Sequence, residues 1–392
     1  MKKVLVATCV LLLAVVFALP ACTSGGTSAT TGGSTATSSG AGTADSSAGV
    51  TSSSGTVTTL APTSTTAAPQ SPLNLKYATT FSATSTGGKV IQHFRDYVKE
   101  KTAGVVTFEI NFGGVLGNSL EELGLVGTGE VEMVSLHHTA FVEQLPLLNF
   151  PSSAPPDAKT ALAYFNYLVF DNADTAAFIQ AEAAARNILI LGFAARGGNV
   201  FVSKDAFTGL SGLVGKKFGA SSSIGAFKAL NYTVVQAAAA DARKNLSAGT
   251  ISATQLAFAT ALQQKCYEVA KNYLWDGTYS VGDAFTINLD AWYKMTPATQ
   301  QIMRDAAKDA SGYSLDLLDQ ATAAGLKTMS DAGATVGSLS AADQAAWWKA
   351  LFASSATDCM TRAERLGVAK QMAAVLQAAA DFTKVNWTAP AR

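Results

Sequence analysis

Residues 296–333 read TPATQQIMRDAAKDASGYSLDLLDQATAAGLKTMSDAG, and this stretch decides the fold that the sequence predicts. Thr296 is a residue type that caps helices, Pro297 suits a first helical turn, and apolar residues then recur at alternating steps of four and three. Gly333 is a residue type that commonly ends helices, so the predicted helix ends there. At about 1.5 Å per residue this helix is roughly 50 Å long, more than one α/β lobe covers. The stretch therefore predicts a helix that runs between two lobes, with two shorter helices broken at Gly325 as the alternative.

The chain before this stretch alternates between strand-like and helix-like segments. Alternating or wholly apolar runs predict strands at 73–77, 106–111, 131–136, 188–191, 200–202, 216–220 and 284–288. Amphipathic runs predict helices at 88–101, after Asn118, and at 224–230 and 254–274, and a further helix begins near Ser340. Strands and helices that alternate over short links are typical of parallel α/β lobes, and about 320 residues suffice for two of them.

The N-terminal residues predict export of the protein and are not expected to belong to its folded domain. Residues 1–3 are basic at two positions, and residues 4–19 are apolar but too short to span a membrane, as in a signal peptide. The sequence Leu19-Pro20-Ala21-Cys22 resembles a bacterial lipoprotein signal, so residues 1–22 predict a signal peptide with lipid attached at Cys22. Residues 23–72 are mostly Ser, Thr, Gly and Ala, which predicts a disordered tether. An ordinary secretory signal is the alternative.

Composition narrows the class of partner. The chain has 28 Lys and Arg against 28 Asp and Glu, and this zero net charge provides no basic stripe for nucleic acid or for a lipid surface. Small solutes or other proteins are the expected partners. Cys266 and Cys359 remain in the exported domain at a spacing that fits no zinc or redox motif, and they predict either one disulfide or two buried thiols.

Four motifs could carry chemistry. Residues 113–117 are glycine-rich but lack the Lys-Ser/Thr ending of a phosphate loop. Residues 219–223 are close to a hydrolase nucleophile elbow, yet Ser223 stands where Gly is required and no histidine follows, which disfavours an exported hydrolase. His137 and His138 follow a predicted strand, at the edge where ligands of parallel sheets bind, and predict pocket residues rather than metal ligands. Glu121 and Glu122 are interpreted as partners of a helix dipole.

Four stretches also follow one another as in a known family. They are residues 77–94, residues 114–117 with 129–133 as "G-x-L-G … G-x-x-D-M", residues 212–220 as "D-L-x-G-L-K-I-R-V", and residues 288–302 as "N-x-x-x-W-x-x-L-x-x-x-x-Q-x-x-I". From about residue 73 to 385 the chain resembles the extracytoplasmic solute-binding proteins of TRAP-type (tripartite ATP-independent) transporters. The resemblance implies an α/β, two-lobed periplasmic-binding-protein-like fold with a long helix bridging both lobes. Lobe 1 would hold about 73–197 and 289–332, and lobe 2 about 198–288 and 333–385.

The resemblance also implies function. Such a receptor captures a small organic solute by hinge closure, makes or breaks no bond, uses no cofactor or metal, and delivers the solute to the membrane subunits of the transporter. With lipid at Cys22 it would be held at the outer face of a cell membrane or in the periplasm. A receptor that senses its ligand without a role in transport is the alternative.

Departures from the family pattern concern the solute. The strand arginine that clamps a carboxylate in the family falls on Gly219, a second family arginine falls near Asn199, and a family asparagine falls on Leu256. These departures predict that simple carboxylates bind poorly and that neutral or aromatic-bearing solutes bind better. The alternative is that Arg196 or Lys217 supplies the missing cation.

The residues predicted to line the cleft lie mostly at the ends of predicted strands. They are Phe81, Ser82, His137, His138, Phe150, Arg196, Asn199, Gly219, Ser221, Leu256 and Asn288.

Overall fold

The computed structural model describes residues 69–389; the predicted signal peptide with Cys22, and residues 23–68 of the predicted tether, lie outside the described residues. The strands are β1 Leu73–Ala78, β2 Val106–Asn111, β3 Met133–Leu136, β4 Ser153–Ala154, β5 Ile188–Ser203, β6 Lys217–Ala220, β7 Thr233–Gln236, β8 Ala253–Ala257, β9 Asn272–Asn288 and β10 Thr335–Ser338. The α-helices are α1 Thr86–Lys101, α2 Glu122–Thr128, α3 Ala158–Asn166, α4 Ala173–Ala184, α5 Ile224–Ala229, α6 Ala242–Ala248, α7 Phe258–Gln263, α8 Leu289–Tyr293, α9 Pro297–Asp331, α10 Ala341–Arg365 and α11 Ala369–Thr383.

One mixed sheet runs through the described residues in the order β2-β1-β3-β9-β5-β8-β6-β7. At one end β1 is parallel to β2 and β3, and at the other end β6 is parallel to β7 and β8. The long strands β5 and β9 are antiparallel to each other and pair along most of their length, from Ile188 with Asn288 to Ser203 with Asn272. Both long strands therefore connect the two parallel groups.

Strand β5 replaces two strands that the sequence predicts separately at 188–191 and 200–202. It is continuous over 16 residues, with register shifts against β9 in its middle. Gly197 has φ of +119°, which side-chain-bearing residues rarely adopt, and a Cβ on Gly192 would lie 3.2 Å from the Cβ of Ala307 in α9. These glycines let the strand bend and let α9 approach it.

The prediction of a long helix over 254–274 is wrong. This segment contains β8, α7, a 3₁₀ turn at Cys266–Glu268 and the start of β9. Strand β8 pairs with β5 on one side and β6 on the other, and the Thr254 hydroxyl donates to the Gly219 carbonyl at 2.8 Å. Pairing with neighbours that are distant in sequence thus overrides the helical pattern. Strand β9 is likewise much longer than the predicted strand at 284–288.

Helix α9 confirms the prediction made from residues 296–333. The Thr296 hydroxyl accepts from the Thr299 amide at 3.3 Å, Pro297 opens the helix, and the helix continues for 35 residues without a break at Gly325. Its first half packs with α1 and β1 in one hydrophobic cluster, whereas Met329 belongs to another cluster with β8 and α7. The helix therefore touches the cores at both ends of the sheet.

Cys266 and Cys359 are not joined; both are buried free thiols. Cys266 packs in the cluster around β8 and α7, whereas Cys359 lies in α10 in a different cluster, with its Sγ 3.2 Å from the Asn149 carbonyl. Burial raises the pKa of each thiol to about 11, so both stay protonated. The disulfide alternative is thereby corrected in favour of two buried thiols.

None of the helices between residues 69 and 389 has the length and apolar character needed to cross a bilayer.

Candidate functional site

Two cavities meet at the end of β3, beside the middle of the paired strands β5 and β9. The first, about 630 Å³ in volume, is bounded by α1 and α9 and is called the spine cavity; the second, about 430 Å³, is bounded by α10 and residues 151–153 and is called the serine cavity. The residues that line both are His137, Arg196, Gly282 and Asp283. Each cavity is large enough for part or all of a small metabolite.

His137 and Asp283 form the fixed wall between the cavities. The His137 Nδ1 lies 2.8 Å from Asp283 Oδ1, and the Thr139 hydroxyl lies 3.2 Å from His137 Nε2. The backbone amide of His137 donates to Glu122 Oε2 at 2.7 Å. Both the ring and the main chain of His137 are therefore held by neighbouring side chains.

Glu122 is a buried carboxyl group, whereas its sequence position predicts a partner of a helix dipole. It is 1% exposed, and burial, opposed by its hydrogen bond to the His137 amide, raises its pKa to about 8. Its Oε1 has no hydrogen-bond partner among the described residues. Glu122 therefore carries a proton at neutral pH and holds the end of β3 without adding negative charge to the cleft.

Arg196 is the cation of the site. It lies on β5 beside the two glycines at 197–198, is exposed, and lines both cavities. Among the described residues no carboxylate forms an ion pair with its guanidinium, and Asp283, the acidic group of these cavities, is bonded to His137. Its charge is thus available to a ligand.

A hydrogen-bonded chain stiffens β9 beside the serine cavity. Asn199 Nδ2 donates to the Thr278 hydroxyl at 3.2 Å, which donates to buried Asp276 at 2.8 Å, and Gln255 Nε2 donates to the same carboxylate at 2.6 Å. The indole of Trp347 also donates to Asp276, at 3.1 Å. Burial raises the pKa of Asp276 to about 6, so it is ionised at neutral pH and fixes the orientation of both amides.

The structure brings together five of the residues predicted from sequence. Phe81 lines the spine cavity, His138 and Asn199 line the serine cavity, and His137 and Arg196 line both. His138 is 3% exposed, packs edge-on against Phe165 and Phe193, and burial lowers its pKa to about 4.

The other predicted residues are placed differently. Phe150 and Leu256 pack in hydrophobic clusters, and Asn288 caps α8 and donates to the Val126 carbonyl at 2.8 Å. Ser82 and Ser221 are exposed, and the neighbours Ser222 and Ser223 line the serine cavity. Glu122, Asp283, Gln255 and Asp276 were not predicted, since burial and hydrogen bonding to distant strands leave no local sequence pattern.

Gly219 lies inside β6, where a side chain has no room. A Cβ at this position would lie 2.7 Å from the Ile251 Cδ1 atom. Lys217 is exposed at the first residue of β6, away from the strand end that faces the site. Strand β6 therefore supplies no cation to the cleft.

A further groove of about 610 Å³ lies between α1 and α9. His93 Nε2 is 2.5 Å from Asp309 Oδ2 there, and the His93 ring stacks on Tyr313. None of the residues predicted to bind solute lines it, so we place the candidate site at the two cavities around Arg196.

Comparison with known proteins gives a consistent result. The sequence profile described as "Bacterial extracellular solute-binding protein, family 7" matches residues 77–357. No curated protein sequence matches the chain at a significant level.

Several solved structures share the fold. A TRAP periplasmic solute-binding protein from Rhodobacter sphaeroides, in an apo open form, is 18% identical with a TM-score of 0.69, covering 79% of this chain and 99% of that one. One from a Sulfitobacter species with bound β-D-galacturonate is 17% identical with a TM-score of 0.58, covering 80% of this chain and 100% of that one. A TRAP solute-binding protein from a marine metagenome, in complex with pyroglutamate, is 21% identical with a TM-score of 0.57. The match covers 80% of this chain and 99% of that one.

These likenesses establish the predicted two-lobed α/β fold with its bridging helix, and the profile covers well over half of the chain. The chain therefore belongs to the bacterial extracellular solute-binding protein family 7.

Proposed function

We propose that the chain is an extracytoplasmic receptor that captures a small organic anion between its lobes and delivers it to the membrane subunits of a TRAP-type transporter. Its family supports the role of a solute-binding receptor. The bound solutes named for similar structures, galacturonate and pyroglutamate, carry a carboxylate, which supports an anionic solute.

One observation carries the choice of an anion: the unpaired guanidinium of Arg196 at the junction of the two cavities. The sequence predicts poor binding of carboxylates, with a cation supplied by Arg196 or Lys217 as the alternative, and the position of Arg196 supports that alternative. Because β6 has no room for a side chain at Gly219 and Lys217 lies at its far end, Arg196 is the better candidate. A guanidinium binds a carboxylate through two parallel hydrogen bonds, which gives both orientation and affinity.

The receptor acts by binding alone. A solute that contacts both lobes binds the closed form more tightly than the open form, and this difference shifts the population toward closure. The long strands β5 and β9, which connect the two parallel groups of the sheet, are the natural place for the hinge. Register shifts and the glycines around Arg196 support bending there.

The test is the solute that co-purifies with the protein, identified by mass spectrometry after denaturation. We expect a small carboxylate with the natural chain and its loss with Arg196→Ala, because charge-assisted hydrogen bonds contribute about 1.5–3 kcal/mol and their loss weakens binding roughly 10- to 100-fold. Arg95→Ala is the control, since between residues 69 and 389 Arg95 pairs only with its neighbour Asp96, outside the cavities. A neutral solute retained equally by all three proteins would contradict the assignment of Arg196.

A further inference from the structure

We infer that one solute occupies both cavities at once, with a carboxylate at Arg196, an apolar group in the spine cavity and hydroxyl groups in the serine cavity. This inference rests on the proposed function and names the class of solute. It follows from the different chemistry of the two cavity walls and from the charge at their junction.

The spine cavity has mainly apolar walls. Helix α1 contributes aliphatic side chains, β9 contributes an aromatic ring, and α9 closes the far side. The larger apolar side chains that line it are Phe81, Val90, Ile91, Phe285 and Leu318, together with four alanines, and neutral polar residues such as Ser85, Ser119 and Gln263 line the rest. Its charged or titratable lining groups are those of the shared wall, His137, Arg196 and Asp283. An apolar group of the solute fits this cavity, because it gives up no hydrogen bonds with water when it binds, whereas a polar group would.

The serine cavity instead presents hydrogen-bond acceptors. Because Asp276 can only accept at neutral pH, Gln255 must turn its NH₂ group toward that carboxylate, and its amide oxygen has no partner among the described residues. The amide oxygen of Asn199 also has no partner among the described residues. Its NH₂ group donates to the Thr278 hydroxyl, which itself donates to Asp276 and so can only accept from Asn199. Serine hydroxyls at 222, 223, 280 and 355 line the same cavity. Amide oxygens and serines together match the hydroxyl groups of a solute.

Two buried polar side chains in the same wall have hydrogen-bonding capacity that the protein leaves unused. Trp348 is 5% exposed and its indole N–H has no partner among the described residues. Neither ring nitrogen of His138 has a partner there either. These three nitrogen atoms are shielded from the cavity itself, so the polar character of the serine cavity rests on Gln255, Asn199 and the serines.

The position of the charge sets the order of groups in the solute. Arg196 and the His137–Asp283 pair line both cavities, so an anionic group bound by Arg196 lies between the other two parts. The solute is then a carboxylate with hydroxyl groups on one side and an apolar group on the other.

Three probes test this assignment by calorimetric titration of the full chain freed of its own solute. Phenyl β-D-glucuronide carries all three groups, β-D-glucuronate lacks the apolar group, and phenyl β-D-glucoside lacks the charge. We expect phenyl glucuronide to bind most tightly, about tenfold or more above each of the others, since a buried apolar ring and a paired carboxylate each contribute at least this factor. Equal or tighter binding of glucuronate, or no binding of phenyl glucuronide at millimolar concentration, would overturn the inference.

Filling each cavity separately shows whether both are used. Ala321→Trp places a ring in the spine cavity, with Ala323→Trp on the exposed side of α9 as its control. Ser355→Trp does the same in the serine cavity, with Ala353→Trp on α10 as its control. We expect Ala321→Trp to remove the advantage of phenyl glucuronide over glucuronate, Ser355→Trp to weaken both probes at least tenfold, and both controls to bind as the natural chain does.

The outcomes separate this inference from the proposed function. If phenyl glucuronide fails while a small carboxylate co-purifies through Arg196, the receptor role stands and the class of solute is wrong. If only one of the two cavity-filling variants affects binding, the solute uses a single cavity and the inference is wrong.

Discussion

Glu122 shows how a single buried group shapes the site. One oxygen of its carboxyl group accepts a hydrogen bond from the amide of His137, and the other is buried without a partner among the described residues. The charge of Asp283 adds to the effect of burial in raising its pKa. An ionised Glu122 would add repulsion to Asp283 directly behind the cleft. The raised pKa keeps the group neutral, so the site presents the positive charge of Arg196 to an anion.

This raised pKa predicts a pH-dependent difference in stability between the natural chain and Glu122→Gln. The folded chain holds the proton up to about pH 8, whereas the unfolded chain releases it near the ordinary value of 4.5. The stability of the natural chain therefore falls, relative to the non-titrating variant, as pH rises from about 4.5 to 8. We expect the difference in Tm (variant minus natural chain) to grow over this range by several degrees, at about 2–4 °C per kcal/mol.

Gln is the matched replacement because its Oε1 can still accept from the His137 amide. Differential scanning calorimetry at several pH values measures the difference, and other titrating groups cancel in it. A difference in Tm that stays constant between pH 5 and pH 8 would show that Glu122 is ionised in the folded chain.

At this scale sequence reasoning finds residues by position along strands. Phe81 and His137 were predicted because they follow strands whose ends meet, and Asn199 and Arg196 were predicted from the family pattern and from the missing cation. All four line the cavities. Glu122 and Asp276 were missed because their roles depend on burial by distant segments. Leu256 was assigned to the cleft from the family pattern, whereas its side chain packs toward α6 and α7.

Among the helices and strands, α9 is the clearest case in which local sequence signals predict the observed element. Its cap, its proline and its apolar period are local signals, so the helix was predicted at nearly its observed bounds. Gly325, which the sequence marks as a weak point, is buried where α7 packs: a Cβ there would lie 2.8 Å from both Phe258 Cε1 and Leu262 Cδ2. The glycine therefore permits close packing of two helices rather than a bend.

Two glycine substitutions in α9 are predicted to have opposite effects. Gly325→Ala should destabilise the fold by about 1–3 kcal/mol, because the new methyl group collides with α7. Gly312→Ala meets no atom within 4 Å and should stabilise it by about 0.5–1 kcal/mol through helix propensity.

Urea denaturation of both variants beside the natural chain measures these changes. Equal stabilisation by both substitutions would mean that α7 does not pack against α9 at Gly325.

The failed prediction at 254–274 marks the limit of local signals. Strand β8 and the first half of β9 have no strong alternation, and they become strands by pairing with β5 and β6. Such pairing joins residues far apart in sequence, which periodicity within a short window cannot reveal.

The whole molecule is organised around strands β5 and β9 and helix α9, which contact both ends of the sheet. Residues 284–288 of β9 pair with β3 and the start of β5, whereas its first residues pair with β10 and the end of β5. We therefore propose that one lobe boundary lies near Arg196 in β5, close to residue 198 as the sequence predicts. We propose that the other lies within β9 near Val281, which pairs with Ala195, rather than at residue 288.

Attachment to a membrane is a separate prediction for the whole chain. We propose that lipid on Cys22 anchors the receptor and that residues 23–72 act as its tether. Cys22→Ala should move the protein from the membrane fraction to the soluble extracytoplasmic fraction, as followed by fractionation and immunoblotting. Cys9→Ala is the control within the signal peptide, and membrane retention of the Cys22→Ala protein would contradict lipid anchoring.

The central claim is that solute bound at Arg196 draws the two lobes together. Small-angle X-ray scattering of the purified chain, first freed of solute and then supplied with the small-molecule extract released by its own denaturation, tests it most directly. We predict that the extract lowers the radius of gyration of the natural chain and of Arg95→Ala, and leaves that of Arg196→Ala unchanged. Scattering profiles of the natural chain that are identical with and without saturating extract would contradict the account.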